Sequence, residues 1–420
     1  MRFKVVNIGC KVNRVEVDAA AAELLARGAA WADGGNADVV IVNTCTVTAE
    51  ADKKTRKAVR QALKANPDAQ LLVTGCAAVM NPQWFEELDE RVHVVPKPAV
   101  AQTAWDMASS PEEIAGAAAH DMTVTTGEIS TSRVGEGFRT RVGIKAQDGC
   151  HNACTFCIVH VARGESRSVP FEQVVEDARR HAQAGAKELV LTGINLGAYD
   201  DGGRRLPALL EALLEACPGA RLRIGSVEPV DVDDALIELM AASDGRICRH
   251  LHLPLQSGSS RVLAEMNRPY DAEDFLRLVD RLRSAMPQIS LSTDIIVGFP
   301  GETDADFEDT LNVARASAFS KIHVFRYSKR EGTPAAVRPD QVPSEVSAKR
   351  SRILQELGVQ LARQDAASRA GSSELVLVER VGQGTTESYH PVRWAGAGPK
   401  PGEMVRVHLP NPTEEGVFIV

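Results

Sequence analysis

Short apolar runs alternate with helical patterns along the first hundred residues. Four β-prone runs cover residues 4–9, 39–44, 71–75 and 92–95, and the first three each end directly before a cysteine. Helical patterns at 15–26 and 49–65 separate the first three runs. Strands that alternate with helices in this way predict an open parallel sheet.

A longer strand–helix series begins at residue 141. The stretch before it is rich in Ser, Thr, Ala and Gly, which predicts a linker. Strand-like runs fall at 142–146, 188–192, 222–227, 251–255, 289–297 and 322–327. Helical patterns between them include 174–184, 206–216, 232–242 and 272–285. Six such units predict a partial (β/α)6 barrel.

The chain closes with a long polar helix and a short β-rich segment. The helix follows Pro343 and extends to about Ala370, and short strands at 375–381, 404–409 and 417–420 predict a small β-barrel or half-barrel. The α/β fold is therefore expected in four segments: a sheet domain at 1–108, a linker at 109–138, the barrel with its trailing helix at 139–370, and the β domain at 371–420.

Composition narrows the class of protein. The chain has 420 residues, 44% of them apolar and 25% charged, which is typical of globular proteins and excludes a disordered or fibrous chain. No apolar run approaches the ~18–20 residues that span a bilayer, so a cytoplasmic location and no membrane partner are expected. The net charge of −8 does not suggest nucleic-acid binding, and the eight cysteines favour metal or redox chemistry over disulfides.

Three cysteines recur at the same point of the predicted sheet. Cys10, Cys45 and Cys76 each follow a strand directly, and parallel strands bring their carboxyl ends to one edge. Neighbouring strands lie ~4.8 Å apart, so three thiolates there can share one metal centre. Such a site leaves one position open, which fits a catalytic zinc ion or a [4Fe–4S] cluster. Three buried structural cysteines are the alternative.

A second group of cysteines follows the first barrel strand. Cys150, Cys154 and Cys157 have the spacing Cys-x3-Cys-x2-Cys, which is compact enough to hold one [4Fe–4S] cluster with an open iron. Zinc is the alternative, with His151 or His160 as a fourth ligand.

This spacing on the first barrel strand, with Phe156 before the last cysteine, resembles the radical S-adenosylmethionine enzymes. The whole chain resembles their methylthiotransferase family, which has an N-terminal three-cysteine domain and a C-terminal TRAM domain. The matching strings in this sequence are Gly9-Cys10-Lys11-Val12-Asn13, Asn43-Thr44-Cys45-Thr46-Val47-Thr48, Thr74-Gly75-Cys76, Ala162-Arg163-Gly164, Leu253-Pro254-Leu255-Gln256-Ser257-Gly258-Ser259, Asp294-Ile295-Ile296-Val297-Gly298-Phe299-Pro300-Gly301-Glu302-Thr303 and Phe325-Arg326-Tyr327-Ser328. Two departures are His151, where asparagine is expected, and the short C-terminal domain.

The resemblance implies the chemistry and the partners. The first two strings resemble the branch that acts on N6-threonylcarbamoyladenosine at position 37 of tRNA. Carbon C2 of adenine carries an unactivated C–H bond, which a radical can break and a side-chain base cannot. The family therefore implies two [4Fe–4S] clusters, S-adenosylmethionine as methyl donor and radical source, a tRNA anticodon stem-loop, a sulfur donor and a reductant such as flavodoxin or ferredoxin. No catalytic residue beyond the cluster ligands is expected.

Several strand-end residues are expected in the cosubstrate pocket. With Phe156, they are Gly193, Asn195, Ser226, Glu228, Gln256 and Asp294. Ordinary polar residues at strand ends are the alternative interpretation. Gly193 is the residue where a ligand can approach the backbone closely.

The acidic chain contains one basic surface. Lys53, Lys57, Arg60 and Lys64 share one face of the helix after Cys45, and residues 50–64 hold six basic and two acidic side chains. Such a face can bind phosphates, although a solvated lysine face is the simpler interpretation. Residues from 374 onward contain four basic and six acidic side chains and predict little RNA binding. Cys217 and Cys248 lie outside both groups and are expected to be structural thiols.

Three other functions stay open at this point. Related branches of the family modify isopentenyladenosine in tRNA or an aspartate of a ribosomal protein. A hypothesis of a different class is an iron–sulfur RNA-binding protein that senses redox state without catalysis.

Overall fold

The computed structural model describes residues 1–32, 34–108 and 140–420. Their contacts divide them into two compact units: residues up to Arg133 with Ile158–Gly164, and Val134–Cys157 with Glu165–Val420. The predicted linker at 109–138 lies outside the described residues, and the four-segment division stays a prediction. Within the described ranges, no helix is long and apolar enough to cross a membrane.

The first unit is built on a five-stranded parallel sheet, which confirms the predicted sheet domain. Its strands, in the spatial order β2-β1-β3-β4-β5, are β1 Arg2–Asn7, β2 Ala30–Trp31, β3 Val39–Thr44, β4 Gln70–Gly75 and β5 Val92–Val94. Its helices are α1 Lys11–Ala26, α2 Ala49–Ala65, α3 Cys76–Met80, α4 Pro82–Glu86 and α5 Val100–Ala108, with a 3₁₀ turn at Lys97–Ala99. Strand β3 is buried along its whole length because helices cover both faces of the sheet.

The second unit contains the six predicted barrel strands, all parallel. They are β6 Arg141–Lys145, β9 Glu188–Thr192, β12 Arg221–Ile224, β13 His250–His252, β14 Ser290–Val297 and β15 Lys321–Arg326. Isolated bridges at Leu222–Ile247 and Ser226–His252 join the two three-stranded halves. Because β6 and β15 each pair on one side among the described strands, the six strands form an open barrel.

Amphipathic helices pack their apolar faces on these strands and enclose one large core. Helix α6, Val159–Arg163, is counted with the first unit. The helices that pack on the barrel strands are α7 Phe171–Gln183, α8 Leu206–Ala216, α9 Asp234–Ala242, α10 Ser260–Glu265, α11 Ala272–Ala285, α12 Asp304–Ser317 and α13 Ser344–Ser368. The minor elements are β7 Gln147–Asp148, β8 Arg167–Ser168, β10 Asp200–Asp201, β11 Arg204–Arg205 and 3₁₀ turns at Leu196–Ala198, Pro229–Asp231 and Pro334–Val337. Side chains at Asp271 and Thr303 start α11 and α12 with capping boxes.

The last fifty residues form a five-stranded, mainly antiparallel sheet. Its spatial order is β19-β16-β17-β18-β20, with β16 Ser373–Arg380, β17 Gln383–Thr386, β18 Pro391–Arg393, β19 Met404–His408 and β20 Phe418–Ile419. Three of these strands were expected from the sequence, and β17 and β18 were not. The TRAM assignment stays a prediction.

A buried charge cluster joins this sheet to the barrel. Glu188, fully buried in β9, binds both Arg221 and Arg223 of the next strand. Arg221 donates to the carbonyl oxygens of residues 375 and 385, and Arg223 donates to those of residues 386 and 387, at 2.7–3.2 Å. Tyr389, whose backbone has a φ of 75°, stacks its ring on His250 of β13. The amino end of the barrel is therefore covered by the C-terminal sheet.

Candidate metal and cosubstrate centres

The three N-terminal cysteines lie at the carboxyl ends of adjacent strands, as predicted. Cys10 precedes α1, Cys45 follows β3, and Cys76 is the first residue of α3. Burial raises the pKa of the Cys45 thiol, and the neighbouring Cys10 and Cys76 raise it further. The three sulfur atoms therefore lie close enough to influence one another, and three ligands leave one position of a metal cluster open.

Buried amide and hydroxyl groups hold the three loops together. Asn43 donates to the side chain of Asn7 at 2.8 Å and to the carbonyl of Asn13 at 2.6 Å. Asn13 in turn donates to the Thr44 carbonyl at 3.0 Å. Gly75 has a φ of 100°, and a Cβ there would lie 2.4 Å from the Thr44 carbonyl oxygen. The Lys97 ammonium donates to the Asn13 side chain at 3.2 Å, so amides and one cation together fix the loops that carry the cysteines.

The barrel cysteines share one irregular loop after β6. Burial raises the pKa of both the Cys150 and the Cys154 thiols, and Cys154 contributes to the shift at Cys150. The backbone N–H of Asn152 donates to the Cys150 sulfur at 3.3 Å. The Thr155 hydroxyl donates to the carbonyl of Glu265 at 2.9 Å, and its backbone N–H donates to the carbonyl of Met266 at 3.1 Å. These bonds attach the loop to the end of α10. The loop thus gathers its thiols locally.

Arg268 is a central residue of this site that the sequence analysis missed. Its guanidinium donates to the Cys154 sulfur at 3.0 Å and forms an ion pair with Glu228. Its Nε donates to the Tyr270 hydroxyl at 3.1 Å, and the residue is only 8% exposed. A buried cation in this position offsets the negative charge of the Glu228 carboxylate, and that of the Cys154 sulfur whenever it is deprotonated. The only sequence signal was an arginine within the Asn-Arg-Pro-Tyr turn between two helices.

Asn195 has the unpaired group that a cosubstrate site requires. Its backbone N–H donates to the Gln147 side chain at 2.8 Å, and its buried Oδ1 has no hydrogen-bond partner among the described residues. A buried acceptor of this kind fits a donor such as the ammonium group of S-adenosylmethionine. A Cβ at Gly193 would lie 2.9 Å from the same Gln147 side chain, so packing favours a glycine here, and its role toward the cosubstrate stays a prediction.

The other expected pocket residues lie near the carboxyl ends of neighbouring barrel strands. Burial raises the pKa of Glu228, Arg268 lowers it, and Asp294 adds a smaller upward shift, so these three side chains share one region. Ser226 bridges to His252, and Gln256 adopts a φ of 65° beside β14. Phe156 packs against the apolar cluster of Val262, Met266, Phe299 and Ala335. The ligand roles of all these residues stay predictions.

The basic residues of α2 are all exposed. Lys53, Lys57, Arg60 and Lys64 face solvent, while Thr55, Ala58, Val59 and Ala62 are buried against the sheet. Their RNA-binding role stays a prediction.

Cys217 and Cys248 are both fully buried. Burial raises the pKa of Cys248 to about 11, in agreement with an inert structural thiol.

Comparison with known proteins identifies the family. Residues 144–314 match the model of the radical SAM superfamily, and residues 2–96 match that of the uncharacterized protein family UPF0004. The radical SAM match implies S-adenosylmethionine and a [4Fe–4S] cluster for the barrel and disfavours zinc there.

Full-length relatives are similar over almost the entire chain. The threonylcarbamoyladenosine tRNA methylthiotransferase MtaB of Thermotoga maritima is 36% identical, over 99% of this chain and 96% of that protein. MtaB of Bacillus subtilis is also 36% identical, over 98% and 95%. The tRNA-2-methylthio-N(6)-dimethylallyladenosine synthase of Cereibacter sphaeroides is 35% identical, over 96% and 94%.

A solved structure confirms the fold. The radical S-adenosylmethionine methyltransferase TsrM of Kitasatospora setae superposes with a TM-score of 0.56 at 15% identity, covering 80% of this chain and 77% of TsrM. The α/β radical SAM architecture follows from this match, and the full-length relatives define the activity class. The chain belongs to the radical S-adenosylmethionine tRNA methylthiotransferases, a family of enzymes.

Proposed function

We propose that this enzyme adds a methylthio group to C2 of N6-threonylcarbamoyladenosine at position 37 of tRNA. The observation that carries the proposal is the pair of three-thiol sites, one in the sheet domain and one in the barrel. Each offers three sulfur ligands where a [4Fe–4S] cluster has four irons, so each leaves one iron for an external ligand. The relatives named MtaB, at 36% identity, support the choice of nucleoside.

The barrel site is proposed to bind S-adenosylmethionine. When bound, its cluster supplies the electron that cleaves the sulfonium to a 5′-deoxyadenosyl radical. Asn195 offers a buried acceptor for the ammonium group, and Arg268 offers a cation for the carboxylate. Glu228 is held by Arg268, which fixes its carboxylate near the strand ends where ribose hydroxyls need acceptors.

The sheet-domain site is proposed to hold the sulfur that is transferred. Cys10, Cys45 and Cys76 would ligate a second [4Fe–4S] cluster, and the neutral groups of Asn13 and Asn43 keep the loops in place. The α2 basic face is proposed to bind phosphates of the anticodon stem-loop. A reductant protein and a sulfur donor complete the set of partners.

One experiment tests activity and substrate together. The anaerobically reconstituted enzyme is incubated with reductant, S-adenosylmethionine and anticodon stem-loops that carry threonylcarbamoyladenosine or isopentenyladenosine. Mass spectrometry of the nucleosides should detect the 2-methylthio product on the first RNA, together with 5′-deoxyadenosine.

The other outcomes each select an alternative. Product only on the isopentenyladenosine RNA would assign the enzyme to the branch of the Cereibacter relative. Cleavage of S-adenosylmethionine without product on either RNA would point to the ribosomal-protein substrate. A protein with both clusters that forms no 5′-deoxyadenosine would support the redox-sensor hypothesis.

A further inference from the structure

A strip of polar side chains covers the inner face of β13, β14 and β15. His250 and His252 each contact the Ser292 hydroxyl at 3.0 Å, and His252 Nε2 lies 3.4 Å from the Asp294 carboxylate. One imidazole nitrogen each of His252 and His323 and one carboxylate oxygen of Asp294 all lie within 4.8 Å of one another. These contacts place the alternate residues of three neighbouring strands on one face.

Strand β15 extends the strip with side chains that face solvent. Ile322 and Val324 pack on the core, and a Cβ at Gly358 of α13 would lie 3.4 Å from Ile322. Lys321, His323 and Phe325 therefore point to the opposite face, and all three are exposed. The parallel register pairs Lys321 with Ser292, His323 with Asp294 and Phe325 with Ile296.

The order of side chains along β15 matches the parts of a modified adenosine. Phe325, which is 38% exposed, offers a ring face for a base near the carboxyl end of the strand. At about 3.3 Å per residue, His323 lies about 7 Å and Lys321 about 13 Å further from that end. The long flexible stem of lysine lets its ammonium group reach back toward the imidazole.

We infer that Lys321 and His323 form the binding site for the carboxylate of the adenosine N6 substituent. The inference rests on the proposed function and names what selects its substrate. The threonylcarbamoyl group ends in a carboxylate, which an ammonium and an imidazole bind through charge-assisted hydrogen bonds. The neighbouring Asp294 carboxylate lies 3.4 Å from His252 Nε2, and the proposed site places the substrate anion on the side of His323 that faces Lys321.

The same site disfavours an apolar substituent. An isopentenyl group offers no anion to Lys321 or His323, and taking the Lys321 ammonium out of water without a compensating anion from the substrate is costly. The relatives include enzymes named for both nucleosides at nearly equal identity, so overall similarity does not decide between them. In this proposal Lys321 and His323, both on β15, determine which of the two nucleosides the enzyme modifies.

The test combines a change in the enzyme with a change in the substrate. Lys321→Met and His323→Leu are compared with the wild type on stem-loops carrying threonylcarbamoyladenosine, its neutral methyl ester or isopentenyladenosine. Lys349→Met, at an exposed position of α13, is the matched control. Equilibrium binding of each RNA is measured beside kcat/KM, with reductant-dependent 5′-deoxyadenosine formation as the check on folding.

The wild type should prefer the free acid to the ester by about 10- to 100-fold, as expected for one or two charge-assisted hydrogen bonds. Each variant should lose most of that preference by binding the acid more weakly, and the Lys349→Met control should keep it. An unchanged preference in both variants, or a wild type indifferent to the ester, would overturn the inference. Preferential binding of the acid without methylthio product on any RNA would instead overturn the proposed function.

Discussion

The two three-thiol sites are built in opposite ways. In the sheet domain the ligands are 35 and 31 residues apart and come from three strands, so the whole sheet brings Cys10, Cys45 and Cys76 together. In the barrel one eight-residue loop, from Cys150 to Cys157, supplies all three thiols. The first site depends on the integrity of its sheet and on neutral amides, and the second depends on a charged residue, Arg268, from a distant loop.

Removal of one cysteine from each site should separate their roles most strongly. Cys154→Ala should reduce both 5′-deoxyadenosine formation and methylthio transfer to background. Cys45→Ala should abolish only the transfer, because the barrel cluster does not use that thiol. Iron content should fall in each variant from about eight to about four atoms per chain. Loss of radical formation in Cys45→Ala would show that the two sites are not independent.

Backbone changes should affect the sheet-built site next most strongly. Gly75 combines a φ of 100° with a Cβ position 2.4 Å from the Thr44 carbonyl oxygen, so Gly75→Ala should cost about 2–5 kcal/mol and lower iron in the first site. Gly28 has a φ of 92° with open space around it, so Gly28→Ala should cost only about 1 kcal/mol. Urea unfolding measures both values. Equal costs would contradict the steric argument.

Acid should affect the barrel more than the sheet-domain site. Burial alone would raise the pKa of Glu188, but the two arginines outweigh it and hold the pKa at about 2, below the 4.5 of an ordinary glutamate. Its ionisation therefore stabilises the fold fully above pH ~4.5 and progressively less as the pH falls toward 2, by about 3 kcal/mol in total. Asn13, Asn43 and Thr44 of the other site are neutral, and the ion pair of Lys97 with Glu16 beside Asn13 is partly exposed to solvent.

Hydrogen exchange measured against pH would show this difference. The opening free energy of the barrel amides should depend less steeply on pH in Glu188→Gln than in the wild type. Glu308→Gln, at an exposed position, should leave this pH dependence unchanged. If acid destabilised both units of the wild type to the same extent, the effect could not be assigned to Glu188.

Arg268 should affect cosubstrate use more than folding. Arg268→Gln is expected to weaken S-adenosylmethionine binding by about 10- to 100-fold, and Arg268→Lys should recover part of the loss. The reduction potential of the barrel cluster should also fall, because a cation no longer donates to the Cys154 sulfur. Arg277→Gln, at an exposed ion pair on α11, is the matched control. An unchanged potential and KM would limit Arg268 to a structural role.

The smallest effect is expected on α2. Lys57→Gln should weaken binding of the stem-loop only a few-fold, and the slope of log K against log salt should decrease by about 0.7–0.9. Glu50→Gln on the same helix should not reduce affinity. A salt slope that does not change would return Lys57 to the simpler interpretation of a solvated lysine.

The sequence predicted local features well and long-range contacts poorly. Strand β3 and helices α2, α8 and α11 have the predicted bounds because apolar periodicity determines them locally. The positions of the cysteines also predicted both three-thiol sites, whose metal-binding role stays a prediction. The contact of Arg268 with Cys154 joins residues 114 positions apart, and no local pattern encodes it. Strand β17, with the sequence Gln-Gly-Thr-Thr, lacks an apolar run and forms only because its neighbours pair with it.

The two buried arginines at the amino end of the barrel, Arg221 and Arg223, have a consequence for folding during synthesis on the ribosome. The backbone acceptors of Arg221 and Arg223 lie in residues 375–387, 154 to 164 positions later. Domains generally fold in order as the chain emerges, but these two guanidinium groups stay incompletely paired until the last part of the chain is made. A nascent barrel should therefore remain loosely closed until translation is almost complete, and a message truncated before residue 375 should yield a protein that proteases remove.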